Sequence, residues 1–304
     1  MIINKESIDK SKMKLQNVRA DLHTHGWAGQ ETGKGQIVLE KLGETGRRDL
    51  ATLCTQGFFQ TQNTLIGLVN FGDTRYEKIV NTRGSLGRGL EVYDDHRQRF
   101  VGVHLIGNCD AESKWCFVLR GQEIPTDKGH VLILGGDKNI QYEKLDDVLK
   151  CAEEMGALRV ADHPLAKKGI LGKVFSLLTQ NGKPLSLGKL TLEDYANIFD
   201  GVEVCNSNVP ELTEETKKLA RKLGKKEFAN SDSHDLKRMF SSYMNYLELD
   251  FSSWEKLRTN LKTQGEMHFG RNRKHENLWH GISVFYNKIR LMAGWVTFPK
   301  YEIE

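Results

Sequence analysis

Apolar and polar positions along the chain follow two alternating rhythms. Short runs rich in Val, Leu, Ile and Phe alternate with segments in which apolar residues return every three or four positions. The first rhythm predicts strands at 19–22, 50–54, 89–93, 100–106, 115–119, 131–134, 158–161, 202–205 and 227–229. The second predicts helices. Residues 142–155 place Leu145, Val148, Leu149, Ala152 and Met155 on one face, with Gly156 as the stop. Residues 210–223 do the same with Leu212, Leu219, Ala220 and Leu223, ended by Gly224. Thr191 with Asp194 resembles a capping box that opens a short helix. Ser252 or Ser253 would cap a helix carrying Trp254, Leu257 and Leu261. Strand and helix in this order predict a mostly parallel α/β architecture, in which polar chemistry collects at the carboxyl ends of the strands.

Composition narrows the class. With 304 residues, 38% hydrophobic and 28% charged, the chain can bury a sizeable core. A net charge of +4 suits an anionic partner but is far from the density of a nucleic-acid wrapper. The five cysteines are scattered with no CxxC pair, which fits a reduced, cytoplasmic setting. The first 17 residues are a polar lead-in without the apolar stretch of a signal peptide, and no run is long enough to span a membrane.

The expected strand ends carry metal-ligand types. His23 and His25 are two apart on extended chain, so both point to one side and can grip one ion. Glu123 closes one strand and His130 opens the next, so a hairpin would join them, and a carboxylate can bridge two cations. Asp162 and His163 follow the strand at 158–161, stopped by Pro164. Asp232 and His234 follow the strand at 227–229. Singly, each is compatible with a polar turn or a hydrogen-bonded histidine. A second glutamate–histidine pair, Glu91 with His104, competes with Glu123 and His130; the run GHVLILG and the helix behind it favour the latter.

The four motifs together, DLHTHG, GQEIPTDKGHVLILG, ADHP and SDSH, resemble in order those of the PHP (polymerase and histidinol phosphatase) family over residues 18–240. Asp162 stands where an aliphatic residue is more usual. The resemblance implies a distorted (β/α)7 barrel holding two divalent ions: zinc, manganese or iron, with magnesium also open. His23, His25 and Asp232 would hold the first, and Glu123 would bridge to a second on His130 and His163. A third position would involve His234, with Glu31 and Gln56 standing where further ligands are often found. An amide suits a hard ion better than zinc, so that site is either lost or takes manganese or magnesium.

The activity implied is hydrolysis of a phosphoester by metal-activated water, on a small phosphomonoester or nucleotide. A nuclease acting on short nucleic acid and a non-catalytic metal-binding module are the alternatives. His234 or Asp162 would protonate the leaving oxygen, and Arg19, Lys167 and Lys168 are candidates for the phosphate. An extra hairpin near 89–119 interrupts the barrel. Residues 241–304 read as a helical extension packed on it, or as a basic, aromatic strip for single-stranded nucleic acid.

Overall fold

The computed structural model describes residues 13–25, 50–60, 62–70, 74–82, 90–105, 114–166, 184–207, 213–233 and 238–269. They form one mixed sheet, in the order β11-β10-β1-β2-β5-β6-β7-β8-β9. The strands are β1 (Lys14–Thr24), β2 (Asn63–Asn70), β3 (Leu90–Tyr93), β4 (Phe100–Leu105), β5 (Lys114–Thr126), β6 (Gly129–Leu134), β7 (Leu158–Ala161), β8 (Gly201–Asn206), β9 (Lys226–Asn230), β10 (Ser242–Asp250) and β11 (Glu266–Phe269). The helices among the described residues are α1 (Leu50–Phe58), α2 (Arg75–Asn81), α3 (Leu145–Glu154), α4 (Gly188–Asp194), α5 (Thr213–Lys222) and α6 (Trp254–Thr263).

One edge of β1 pairs with β2, and its other edge has two partners. Its first half pairs antiparallel with β10, and its far end meets the chain leaving β9 through a parallel bridge between Thr24 and Ser233. His25 N–H donates to the Ser233 carbonyl at 2.7 Å, and Leu22 N–H to Asn230 Oδ1 at 3.0 Å. These bonds bring β1, β2, β5, β6, β7, β8 and β9 round into a nearly closed, distorted barrel. Only β6 runs against the others, because it returns from β5 through a hairpin. The extra hairpin is β3 with β4, and β4 lies along the first half of β5.

Strand alternation sorts the side chains. Leu65, Val69, Phe117, Leu119, Leu132, Leu134, Leu158, Val160 and Phe228 fill the barrel. Their neighbours of opposite parity pack outward: Ile66, Leu68, Cys116 and Val118 under α1 and α2, and Val131, Ile133, Ala161, Val202 and Val204 under α3 and α5. Gly156 (φ 62°) and Gly224 (φ 61°) end α3 and α5 in the left-handed turn that glycine tolerates best. The other barrel end is plugged by α6. Ser253 caps it, accepting from Lys256 N–H, and buried Trp254 donates Nε1–H to the Gly156 carbonyl at 2.9 Å.

Several sequence expectations change. Residues 50–54 are the first turns of α1, because Leu50, Leu53 and Cys54 at helical spacing cover the outer face of β2. β2 itself was not expected. Thr191 lies inside α4, which starts at Gly188, so it does not cap that helix. The helical extension expected over 241–304 is, in its described part, a strand, a helix and a strand. Tyr246 and Leu249 of β10 enter the barrel core, so this segment is part of the sheet. The basic, aromatic residues beyond 269 lie outside the described residues.

Candidate metal centre

All forward strands deliver their last residues to one end of the barrel, and so does the first turn of β6. The parity that fills the core also selects the polar side chains there. Glu123 follows Phe117 and Leu119, His130 precedes Leu132 and Leu134, Asp162 follows Leu158 and Val160, and Glu203 lies between outward Val202 and Val204. Beside them stand His23 from β1, His25 just after it and Asp232 after β9. All seven are buried.

Four atoms from three segments face one another. His23 Nε2 lies 3.2 Å from His25 Nε2, 3.5 Å from Asp232 Oδ1 and 3.7 Å from Glu123 Oε2. His25 Nε2 lies 3.1 Å from Glu123 Oε2 and 3.3 Å from Asp232 Oδ1. An ion with ~2.1 Å bonds in tetrahedral coordination has ligand–ligand edges of about 3.4 Å. His23, His25 and Glu123 match that cage, and Asp232 Oδ1 lies against both imidazoles. Two imidazole nitrogens turned toward each other and toward carboxylates, away from water, form a compact set of donors for a cation.

The other oxygen of Glu123 belongs to a second group. Glu123 Oε1 contacts His130 Nδ1 closely and lies 3.6 Å from His163 Nε2, which is 3.1 Å from Asp162 Oδ2. Suitable donor atoms of Glu123, His130, Asp162 and His163 all lie within 4.8 Å of one another. Glu123 thus faces one group with each oxygen. Nitrogen and oxygen donors without thiolate suit a divalent metal ion.

Two backbone outliers belong to this site. His163 (φ 24°) and Asp232 (φ 50°) adopt left-handed conformations, each costing ~1–3 kcal/mol for a non-glycine residue. His163 also precedes proline, which narrows its choices further.

A layer of acceptors and donors holds the histidines. Glu203 accepts from His23 Nδ1 (3.1 Å), His163 N–H (3.2 Å), Asn206 Nδ2 (3.0 Å) and Asn230 Nδ2 (2.9 Å). Asn206 also donates to Asp232 Oδ2 at 3.1 Å. Asp21 accepts from Ser231 N–H and Phe240 N–H at 3.0 and 2.8 Å, fixing the loop that carries Asp232. Arg75, buried at the start of α2, donates to the His25 carbonyl at 2.7 Å.

The electrostatics follow from burial opposed by neighbours. Burial would lower the His23 pKa, but the carboxylates of Asp162, Asp232 and Glu203 carry it well above its usual value. His163 is pushed up to about 10 against the same burial cost, chiefly by Asp162 and Glu123. Burial works against ionised Glu123 too, yet contact with His130 holds its pKa well below the usual range. For Glu203 the burial cost is overcome mainly by His23, and its pKa falls to about 2. Asp162 goes the other way. Burial, reinforced by the like charges of Glu203 and Glu123, lifts it well above an ordinary carboxyl despite His163 and His23. Burial also raises Asp21, to about 6.

The six expected ligands, His23, His25, Glu123, His130, His163 and Asp232, therefore sit together. Asp162, expected as a proton donor to a leaving group, is fully buried between His23 and His163. Gln56 does not join the cluster. It lies in α1, whose following turn reaches Arg19 and Lys114 at the far ends of the strands through Gln60. Arg19 is committed there too. It pairs in register with Thr64 at the start of β2, bonds Gln60, and stacks 4.4 Å from the Tyr243 ring centroid. It is ~13 Å along the strand from His23, so it is not placed to hold a substrate phosphate. Glu31, Lys167, Lys168 and His234 lie outside the described residues. His104 faces Glu91 at 3.5 Å and stacks on Trp115, on the extra hairpin. Glu203, Asn206, Asn230 and Arg75 were not foreseen. For Glu203 the signal was present: one carboxylate within an otherwise apolar strand.

No family model and no curated protein matches the chain. Two solved structures show a distant likeness. One is a two-domain protein containing a predicted PHP-like metal-dependent phosphoesterase from Bacteroides vulgatus. It is 13% identical, with a TM-score of 0.45 over 84% of this chain and 65% of that one. Another is PsfC from Pseudomonas syringae, 12% identical, with a TM-score of 0.49 over 90% of this chain and 99% of that one. This chain thus spans just under two thirds of the first of these. Among the described residues, no helix is long and apolar enough to cross a membrane.

Proposed function

We propose that the protein is a metal-dependent phosphoester hydrolase of the PHP type, acting on a small phosphomonoester or nucleotide. The observation that carries this reading is Glu123, whose two oxygens face two separate groups of buried ligand atoms. His23, His25, Glu123 and Asp232 would hold one divalent cation, and Glu123, His130 and His163 a second. Such a pair supplies Lewis acidity toward phosphate oxygens and lowers the pKa of water toward ~7 in good zinc sites.

The chain's own residues set the conditions for that chemistry. Glu203 accepts a hydrogen bond from His23 Nδ1–H and so presents Nε2 to the cage. Asp21 and Asn206 hold the Asp232 loop in its left-handed turn. The side chains of His23 and Asp162 have no solvent exposure, whereas that of Asp232 keeps 11%, so a substrate phosphate would approach from the Asp232 side. Arg75 would add positive charge beside His25. The proton for the leaving oxygen is assigned to His234.

The test is a substrate screen on protein reconstituted with zinc, manganese or iron. It would cover phosphomonoesters, nucleotides, a phosphodiester and labelled oligonucleotides at two salt concentrations. Metal-dependent release of phosphate from a monoester or nucleotide, lost on chelation and in Glu123→Gln, is expected. Oligonucleotide cleavage that falls steeply with salt would replace the substrate class with nucleic acid. Bound metal without turnover on any phosphoester would overturn the catalytic reading.

A further inference from the structure

The geometry points to Asp162 as a direct ligand of the second cation, completing a site of Glu123, His130, His163 and Asp162. This inference rests on the metal-dependent reading and adds a ligand to the set that the motif pattern implies.

The first support is the hydrogen-bond inventory. Glu203 and Asp162 are both buried carboxylates beside His23, yet their surroundings differ. Glu203 has four donors. Neither oxygen of Asp162 has a hydrogen-bond partner, although the residue is 0% exposed. His23 Nδ1 carries at most one proton, and Glu203 at 3.1 Å is closer to it than Asp162 at 3.3 Å. A carboxylate stripped of water and without hydrogen bonds must either take up a proton or sit against a cation, and Asp162 lies among the donor atoms of His163, His130 and Glu123 that would share that cation.

The second support is the backbone. Adjacent residues on extended chain point to opposite faces. Asp162 inherits the inward parity of Leu158 and Val160, so His163 should face outward. Its φ of 24° breaks the alternation and turns its ring back, leaving Nε2 3.1 Å from Asp162 Oδ2. A strained pre-proline conformation that directs two consecutive side chains to one point indicates a shared ligand. The spacing agrees: 3.1 Å from Asp162 and 3.6 Å from Glu123 to His163 Nε2 match edges of one coordination shell.

The experiment counts ions and measures their affinities in full-length wild type, Asp162→Asn, Asp162→Ala, His130→Ala and His25→Ala, after reconstitution with manganese or cobalt. Wild type should hold two ions per chain. Asp162→Asn should lose the ion that His130→Ala loses, with affinity there falling more than ~100-fold, beyond the range for a residue that only orients a ligand. Adding His130→Ala to Asp162→Asn should remove no further ion. The rise in Tm on metal addition should shrink in Asp162→Asn, and the metal-free fold of each variant is checked by circular dichroism.

Two ions of near wild-type affinity in Asp162→Asn would overturn the assignment while leaving the hydrolase reading intact. Loss instead of the ion held by His25 would also overturn it, making Asp162 a positioning residue for His23. A wild type that binds no metal would remove both this inference and the functional reading.

Discussion

Replacing Glu203 with Gln changes one oxygen to an NH2 group and little else, so its cost can be worked from the four donors around it. Oε1 accepts from His23 Nδ1 and Asn230 Nδ2, and Oε2 from His163 N–H and Asn206 Nδ2. Whichever way the new amide is turned, its NH2 faces two donors. Each buried bond to a charged group is worth about 1.5–3 kcal/mol. Losing two gives about 3–6 kcal/mol, a large share of the 5–15 kcal/mol typical of a domain.

His23 can relieve one of these clashes by moving its proton from Nδ1 to Nε2, which lowers the cost to about 2–5 kcal/mol. That relief protonates the nitrogen facing His25, Glu123 and Asp232, so metal affinity should fall by roughly 10–100-fold. Urea unfolding with metal chelated reads the first effect, and metal titration of the folded variant reads the second. A variant within 0.5 kcal/mol of wild type that binds metal equally well would refute this role for Glu203.

Further predictions concern other parts of the molecule. Asp200 is nearly buried and bonded by Lys262 and Arg159, which outweigh its burial and hold its pKa below the usual carboxyl value. A depressed folded pKa contributes stability above the unfolded value near ~3.9 and loses it as pH falls through the folded one. Asp200→Asn should therefore cost about 2 kcal/mol at pH 7, with the gap closing below pH ~4 in urea titrations; a gap independent of pH would contradict this. Trp254→Ala opens the plugged end of the barrel and frees the Gly156 carbonyl, and should cost about 3–5 kcal/mol in thermal unfolding without changing metal stoichiometry. His234→Ala should lower kcat while leaving both ions bound, and loss of metal instead would make it a ligand. Arg75→Gln, which removes the charge, should weaken substrate binding more than turnover, and an unchanged KM would show that the charge does not reach the substrate.

What the sequence disclosed depended on how local each determinant was. His23 with His25, and Glu123 with His130 across a short turn, are set by strand parity and a hairpin, both visible in the chain itself. The inward course of Leu158, Val160 and Asp162 was equally legible, but the turning back of His163 was not, because nothing local announces a left-handed histidine before proline. Glu203 was hidden by its own strand, whose apolar character was read and whose single carboxylate was passed over. β10 reads as alternating, yet its place beside β1 depends on pairing across more than two hundred residues, such as Lys14 with Asp250. Helix α1 shows the opposite failure: Leu50, Leu53 and Cys54 are too short an apolar run to tell a strand from a helix without knowing that β2 lies beneath them.

The central claim is that Glu123 stands between two cations. Anomalous diffraction from crystals soaked in manganese tests it most directly. The account predicts two peaks about 3.5–4 Å apart on either side of the Glu123 carboxylate, one among His23, His25 and Asp232 and the other among His130, His163 and Asp162. No peak within bonding distance of Glu123 at saturating metal, with the imidazoles still facing each other, would contradict it.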